Sequence, residues 1–201
     1  MGALWPWLVV VSLGIYHGAN PSLGWLLAAT RGAWERSGRV AATAALPIGV
    51  GHTAAAALGV PVAVVAAAIL PQPTVWLSMA GALLVFGLAR TAWMPPRRVG
   101  SMWAGPWALA RWAFLMSTDR GTALALASLV VLQPGPAALP TGGRDGLVAV
   151  GYGLSLLLTL LTAAAWAARW PRAPRLHRWW VNLDLIWVCG LVCTGLLMLL
   201  R

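Results

Sequence analysis

Two histidines, an aspartate and an arginine lie within long apolar stretches, where ionisable side chains are costly. His17 is in GIYHGANPSLGW, His52 is in PIGVGHTAAAALG, and Asp119 and Arg120 are in FLMSTDRGTAL. Each lies near the middle of its apolar stretch, so we expect it to face the interior of a helical bundle and to mark a site or a pathway. Two neutral imidazoles and a carboxylate suit a divalent transition metal, and they suit a proton relay equally well.

Amide and hydroxyl side chains accompany these residues at the same depth. The predicted substrate or ion pathway is a midplane cluster of His17, Asn20, His52, Thr53, Ser117, Thr118 and Asp119, with Arg120 pairing with Asp119 or pointing into the cavity. Each residue taken singly also has a structural explanation, such as a histidine that bonds a carbonyl across the bundle. The cofactor hypotheses for His17 and His52 are a transition metal ion and haem, since histidines on adjacent helices can hold either.

The first of these stretches also contains a predicted helix break. Pro21 has no backbone N–H and disfavours helix at Asn20, so carbonyls around His17 and Gly18 lose their partners. Non-helical backbone at membrane depth is tolerated only where it is buried in protein or lines a watery cavity. A break between Gly18 and Pro21 therefore predicts a polar interior beside it.

The elements that must position these residues are membrane-spanning helices. The chain has 201 residues, of which 60% are hydrophobic and 9% charged, and its mean hydropathy is +0.79. This composition excludes a soluble domain with a polar exterior. The net charge of +10 comes from arginines that lie mostly in short loops, which indicates membrane topology rather than a nucleic-acid partner.

Six apolar stretches reach the roughly 20 residues that a spanning helix needs. They cover roughly 4–30, 40–70, 74–94, 103–132, 146–168 and 181–200. Arginine-rich and arginine-poor loops alternate between them, so the positive-inside rule places both termini outside. We predict an all-α, multi-pass membrane protein, with residues 1–201 in one membrane domain. Two sets of three helices entering from opposite sides have the arrangement of a 3+3 inverted repeat, with His17-Gly18 aligned on Arg120-Gly121.

A second polar pair lies at the start of the last predicted helix. Asn182 and Asp184, in WVNLDLIW, can cap this helix at its N-terminus, where the helix dipole favours negative charge. The alternative for this pair is a second polar site.

The stretch HGANPSLGW, the Gly-His at 51–52 and WVNLDLIW together resemble a family of bacterial inner-membrane proteins with HGxNPxxGW in the first helix. More remotely, the chain is similar to nickel/cobalt permeases and to amino-acid and metal exporters, which are small six- or seven-helix transporters. It departs from the permeases at Asn20 and Pro21, where their HxxxxDH signature is absent. It departs from the first family at Arg120, where the fourth-helix motif has histidine. A cation there repels a bound metal unless Asp119 neutralises it, which favours an anion or a neutral solute. Arg120 equally fits a relative that has lost transport.

These observations predict a small secondary transporter or exporter of an ion or small solute, with proton coupling through His17, His52 or Asp119. Without lysine no nucleotide-binding P-loop is possible, so the energy would come from an ion gradient or a partner. The alternative is a non-transporting membrane subunit or assembly factor, which abundant Gly and Ala also favour. We expect the chain not to be an enzyme, since no nucleophile–base pairing stands out. The expected partners are the lipid bilayer and a homo-oligomer or a larger membrane complex, with no nucleic acid.

Overall fold

The computed structural model describes residues 5–92, 105–118, 121–122, 124–126, 141–169 and 183–200. Within these ranges the chain is almost entirely α-helical and contains no strand. The helices, in chain order, are α1 (Trp5–Ala19), α2 (Trp25–Trp34), α3 (Gly38–Ile69), α4 (Gln72–Ala92), α5 (Pro106–Thr118), α6 (Thr141–Ala168) and α7 (Leu183–Leu199). The predicted all-α class is confirmed.

Three of the described helices are long and apolar enough to cross a membrane, over Gly38–Val62, Pro73–Arg90 and Gly146–Ala168. Shorter apolar helices cover Trp7–Ala19 and Leu185–Leu199. Large aliphatic side chains cover the outer faces of the long helices. Such a surface suits contact with lipid rather than with water. The chain is therefore a multi-pass membrane protein, while the count of six spans and the orientation of the termini stay predictions.

The helix α3 occupies the centre of the bundle and contacts α2, α5 and α6. It is continuous over 32 residues although Pro47 and Pro61 lie inside it. Prolines are tolerated in spanning helices because neighbouring helices and local adjustments satisfy the freed backbone groups. Gly51 brings α5 close to α3, since a Cβ at this position would lie 2.9 Å from the Cβ of Ala113.

Two glycines on α1 allow a similarly close approach to α6. A Cβ on Gly14 would lie 2.6 Å from the carbonyl oxygen of Tyr152, and one on Gly18 would lie 2.5 Å from that of Leu156. Gly18 is thus still helical and serves packing, whereas we expected it to belong to the break. Because residues further along α1 contact residues further along α6, the two helices run in the same direction.

Most buried apolar residues of the described ranges belong to one of two cores. The larger core joins α1, α2, α3, α5 and α6, and it includes Leu126. The smaller core joins α4 and α7, and Trp187 and Phe86 pack against it. Trp76 of α4 also donates its indole N–H to the carbonyl oxygen of Met198 in α7. Among the described residues, the helix pair α4–α7 is therefore a packing unit beside the bundle of α1, α2, α3, α5 and α6.

Two of the predicted spans are interrupted. In the first, α1 ends at Ala19, a 3₁₀ turn covers Pro21–Leu23, and α2 begins at Trp25. In the fourth, α5 ends at Thr118 and helix resumes at Thr122 after Gly121. The second interruption lies inside the span predicted over roughly 103–132, and the bounds of that span stay a prediction.

Candidate functional site

The break in the first span is held by local side-chain bonds. Asn20 is in an extended conformation. Its side-chain oxygen accepts two hydrogen bonds from Ser22, one from the backbone N–H at 3.0 Å and one from the hydroxyl group at 2.6 Å. Pro21 occupies the first position of the 3₁₀ turn, where its missing N–H costs nothing. Gly24 ends the turn at φ 115°, a left-handed conformation that glycine adopts without steric penalty.

Two carbonyls at this break are satisfied by ring N–H groups. The indole of Trp25 donates to the carbonyl oxygen of Ala19 at 2.9 Å. Nε2 of His52 bonds the carbonyl oxygen of Leu23 at 2.9 Å, which requires the proton on Nε2. His52 is only 1% exposed. It therefore stabilises the interrupted backbone from the neighbouring helix α3.

The break in the fourth span repeats one feature of the first. Gly121 has φ 66°, and its carbonyl oxygen accepts the N–H of Ala125 at 3.0 Å. The carbonyl oxygen of Gly24 accepts the N–H of Ala28 at 3.2 Å in the same way. A left-handed glycine thus begins the second half-helix at both breaks. Gly24, and not the helical Gly18, shares this positive φ with Gly121, while the inverted repeat itself stays a prediction.

His17 connects the two breaks. It lies in the last turn of α1 and is 2% exposed. Its Nδ1 bonds the carbonyl oxygen of Leu13 at 2.9 Å, and its Nε2 lies 3.4 Å from the hydroxyl oxygen of fully buried Thr122. With the proton on Nδ1, Nε2 is the acceptor, and 3.4 Å is a long and weak bond. The end of one half-helix therefore faces the start of another.

Aromatic rings surround the imidazole of His17. The ring centroids of Trp187, Tyr16 and Tyr152 lie 4.5, 5.6 and 5.8 Å from that of His17, all in edge-to-face geometry. Trp187 also stacks on Tyr16 at 6.1 Å. Because Trp187 belongs to α7 and Tyr152 to α6, His17 lies where the two cores meet.

Two hydroxyls near the breaks have no hydrogen-bond partner within the described part of the chain. They belong to Tyr152 on α6 and to Ser117 on α5, which are 0% and 1% exposed. Leaving such a group unpaired costs about 1–3 kcal/mol. Buried groups of this kind usually bind water or a ligand. The interior thus holds hydrogen-bonding capacity that the described residues leave unused.

The predicted pathway residues divide into three sets. Four of them, His17, Asn20, His52 and Ser117, are buried. The hydroxyls of Thr53 and Thr118 bond carbonyls of their own helices, those of Gly49 and Leu115, so these two side chains do not join the polar interior. Asp119 and Arg120 lie outside the described residues.

The predicted cap or second polar site is only partly covered by the structure. Asp184 lies in the first turn of α7, and Asn182 lies outside the described residues. Capping of the last helix therefore stays a prediction.

Sequence reasoning missed Thr122, Tyr152 and Trp187. Tyrosine normally prefers membrane interfaces, so a tyrosine between two glycines in the middle of an apolar stretch was the available signal for Tyr152. Nothing comparable distinguishes Thr122 from the other threonines of this chain.

A metal or haem site receives no support from the described geometry. His17 and His52 bond different backbone carbonyls, those of Leu13 and Leu23. Among the residues that the structure describes, no group of three or more His, Cys, Asp or Glu side chains could hold a metal ion.

Comparison with known proteins adds a partial similarity to an enzyme. Over 114 residues the chain is 34% identical to the apolipoprotein N-acyltransferase of Nitrosomonas europaea. The match covers 56% of this chain but only 20% of that protein, so the chain spans about a fifth of its length. No family model matches the sequence, and no solved structure matches it. The similarity contradicts our expectation that the chain is not an enzyme, because the matched protein is one.

Proposed function

We propose that this chain is a small secondary transporter of a bacterial inner membrane, with its solute site at His17 between two broken helices. The pairing of the breaks carries the proposal. Each second half-helix begins at a left-handed glycine, and His17 at the end of α1 faces Thr122 at the start of the other half-helix. Secondary transporters build midplane sites from discontinuous helices in corresponding positions of two repeats.

The arrangement of the two cores supports the same proposal. Alternating access in such proteins is largely the rocking of one bundle against another around a fixed site. Here Trp187 reaches His17 from α7 and packs against the smaller core, while His17 and Tyr152 belong to helices of the larger one. Movement of the pair α4–α7 would open and close the space around the imidazole.

The chemistry around His17 favours a small solute with hydrogen-bonding groups. The described side chains that contact its ring bring hydroxyl groups and aromatic rings to it. Arg120, one residue before Gly121, adds a positive charge close to the fourth-span break in the sequence and favours the same choice where Asp119 beside it does not neutralise this charge. These groups suit a neutral or anionic solute better than a divalent cation.

Transport by the purified protein in proteoliposomes tests this proposal. We would measure uptake of labelled amino acids, small carboxylates, polyols, Ni²⁺ and Co²⁺ under an imposed proton gradient. We expect uptake of one neutral or anionic class, lost in His17→Gln and in Thr122→Val. The matched control is Thr162→Val, because the exposed Thr162 bonds only carbonyls of its own helix α6. Uptake that survives both site substitutions would contradict the proposal.

A second candidate function follows from the similarity to the N-acyltransferase. In this alternative the chain is the membrane-embedded part of an enzyme that handles acyl groups, on its own or with a partner subunit. Incubating the purified protein with a phospholipid and an amine-bearing peptide, followed by mass spectrometry, tests it. An N-acylated peptide would favour this function over transport. A stoichiometric partner after purification in mild detergent would favour the subunit alternative.

A further inference from the structure

An open cavity of about 390 Å³ lies between α3 and α6, on the outside of the bundle. We call it the α3–α6 groove. Among its lining residues Thr53, Ala54, Gly153 and Leu157 are not exposed, and we call the three small ones, Thr53, Ala54 and Gly153, its floor. Val50 and Leu154 stand beside the floor and are 57% and 56% exposed, so the groove opens towards the surroundings of the protein.

The small floor residues create the groove. Gly153 lies against the Thr53 side chain, where a Cβ would come 2.9 Å from its hydroxyl oxygen, so α3 and α6 touch there. Ala54 leaves space next to this contact, while the larger side chains on either side extend past it. The hydroxyl of Thr53 bonds the carbonyl oxygen of Gly49 at 2.9 Å. The groove therefore presents an apolar surface although a threonine lines it.

The position of the groove along the membrane normal determines which part of the bilayer surrounds it. Thr53 and Gly153 directly follow His52 and Tyr152, so the floor lies at the level of the buried polar residues. Both positions are near the middle of helices that are apolar and long enough to cross the membrane. At that depth a bilayer offers hydrocarbon chains rather than water or headgroups.

We propose that the α3–α6 groove is a binding site for one acyl chain of a membrane phospholipid. A volume of about 390 Å³ falls in the range of small-ligand sites and exceeds what one inserted side chain fills. A chain lying in a concave apolar groove gains more dispersion contacts than one on a convex helix face. The groove thus fits a flexible hydrocarbon chain, and this proposal does not depend on which solute binds at His17.

Photolabelling of the full-length protein tests this site. We would reconstitute it in vesicles of phosphatidylethanolamine and phosphatidylglycerol with a trace of phosphatidylcholine that carries a diazirine in its acyl chain. After irradiation, mass spectrometry of the peptides maps the labelled residues. We expect labelling at 50–57 and 150–157 to exceed that on the exposed faces of α4 and α7.

Two substitutions that fill the groove provide the decisive comparison. Ala57→Phe adds bulk from α3 and Val150→Phe adds it from α6, and both positions are exposed groove-lining residues. Each should reduce labelling of the groove to the level on α4. The control is Gly190→Phe, because Gly190 on α7 is exposed with nothing within 4 Å of an added Cβ. This control should leave labelling of the groove unchanged.

Three results would overturn the proposal. One is equal labelling of all lipid-facing helices, which indicates ordinary bilayer contact only. Another is strong labelling of the groove that persists in both filled variants. The third is an unlabelled groove that crosslinks to a second copy when a photoreactive amino acid replaces Ala57, which would assign this face to an oligomer. Thermal unfolding of each variant identifies misfolding, and two variants on different helices ensure that one failure does not decide the outcome.

Discussion

Replacing Gly18 by alanine should weaken the packing of α1 on α6. The added Cβ would lie 2.5 Å from the carbonyl oxygen of Leu156 and 2.7 Å from the Cβ of Thr159. The first neighbour is a backbone atom, so it cannot move away by a side-chain rotation. The two helices must separate, and His17, one residue before Gly18, is displaced with α1.

The overpacking in Gly18→Ala should lower the free energy of unfolding by about 2–3 kcal/mol, which is the upper part of the usual range for overpacking a core. Alanine is about 1 kcal/mol better than glycine inside a helix, which offsets part of this cost. The offset is small in detergent unfolding, because a denatured state that retains helix already has most of this gain. We therefore expect a net loss of about 2 kcal/mol in the free energy of unfolding.

Equilibrium unfolding in mixed micelles with increasing dodecyl sulfate, followed by tryptophan fluorescence, measures this loss. The matched control is Gly81→Ala on α4, where an added Cβ has nothing within 4 Å. This second variant should unfold like the parent, because the helix-propensity gain of alanine is small in this assay. Free energies of unfolding that agree within about 0.5 kcal/mol for the two variants would refute the packing argument, since this is the spread of neutral substitutions.

Three further substitutions address the break and the surface. His52→Ala removes the bond to the carbonyl oxygen of Leu23 and leaves that oxygen buried without this partner. The free energy of unfolding in dodecyl sulfate should therefore fall by about 2–4 kcal/mol. A variant as stable as the parent would contradict a contribution of this bond to stability. Gly24→Ala forces alanine to φ 115° and places its Cβ 2.9 Å from Ile48, so the temperature of half-unfolding by circular dichroism should fall clearly. Glu35→Gln removes an ion pair at the surface, in which Nε of Arg31 lies 3.5 Å from Oε1 of Glu35. The free energy of unfolding, measured by chemical denaturation, should therefore change by less than about 0.5 kcal/mol.

The two interrupted spans show how far local sequence rules reach. Asn20 and Pro21 predict an interruption in the first span, and the structure has α1 ending at Ala19. The fourth-span break at Gly121 was not foreseen, because a single glycine in an apolar stretch is common in spanning helices. Conversely, α3 passes through Pro47 and Pro61 without a break. Proline chemistry is local, but the bundle decides whether the freed backbone groups find other partners.

The two histidines show the same limit for the site. Both were predicted to share one polar cluster, and both are buried. In the structure the two histidines have different partners. His52 bonds the carbonyl oxygen of Leu23 at the interrupted backbone, and His17 faces Thr122. The sequence places each histidine at a depth in the membrane but does not set the rotation of its helix.

The amino-acid sequence by itself determines the class of this protein and the region of the first break. An apolar chain in a bilayer must satisfy its backbone bonds internally, so composition alone predicts spanning helices. Only the tertiary structure decides which side chains meet His17, because Thr122, Tyr152 and Trp187 come from three distant segments. Close contacts such as those of Gly14 and Gly18 with α6 set the rotation and spacing of the helices. Those contacts depend on pairs of surfaces, and no single stretch of sequence contains both.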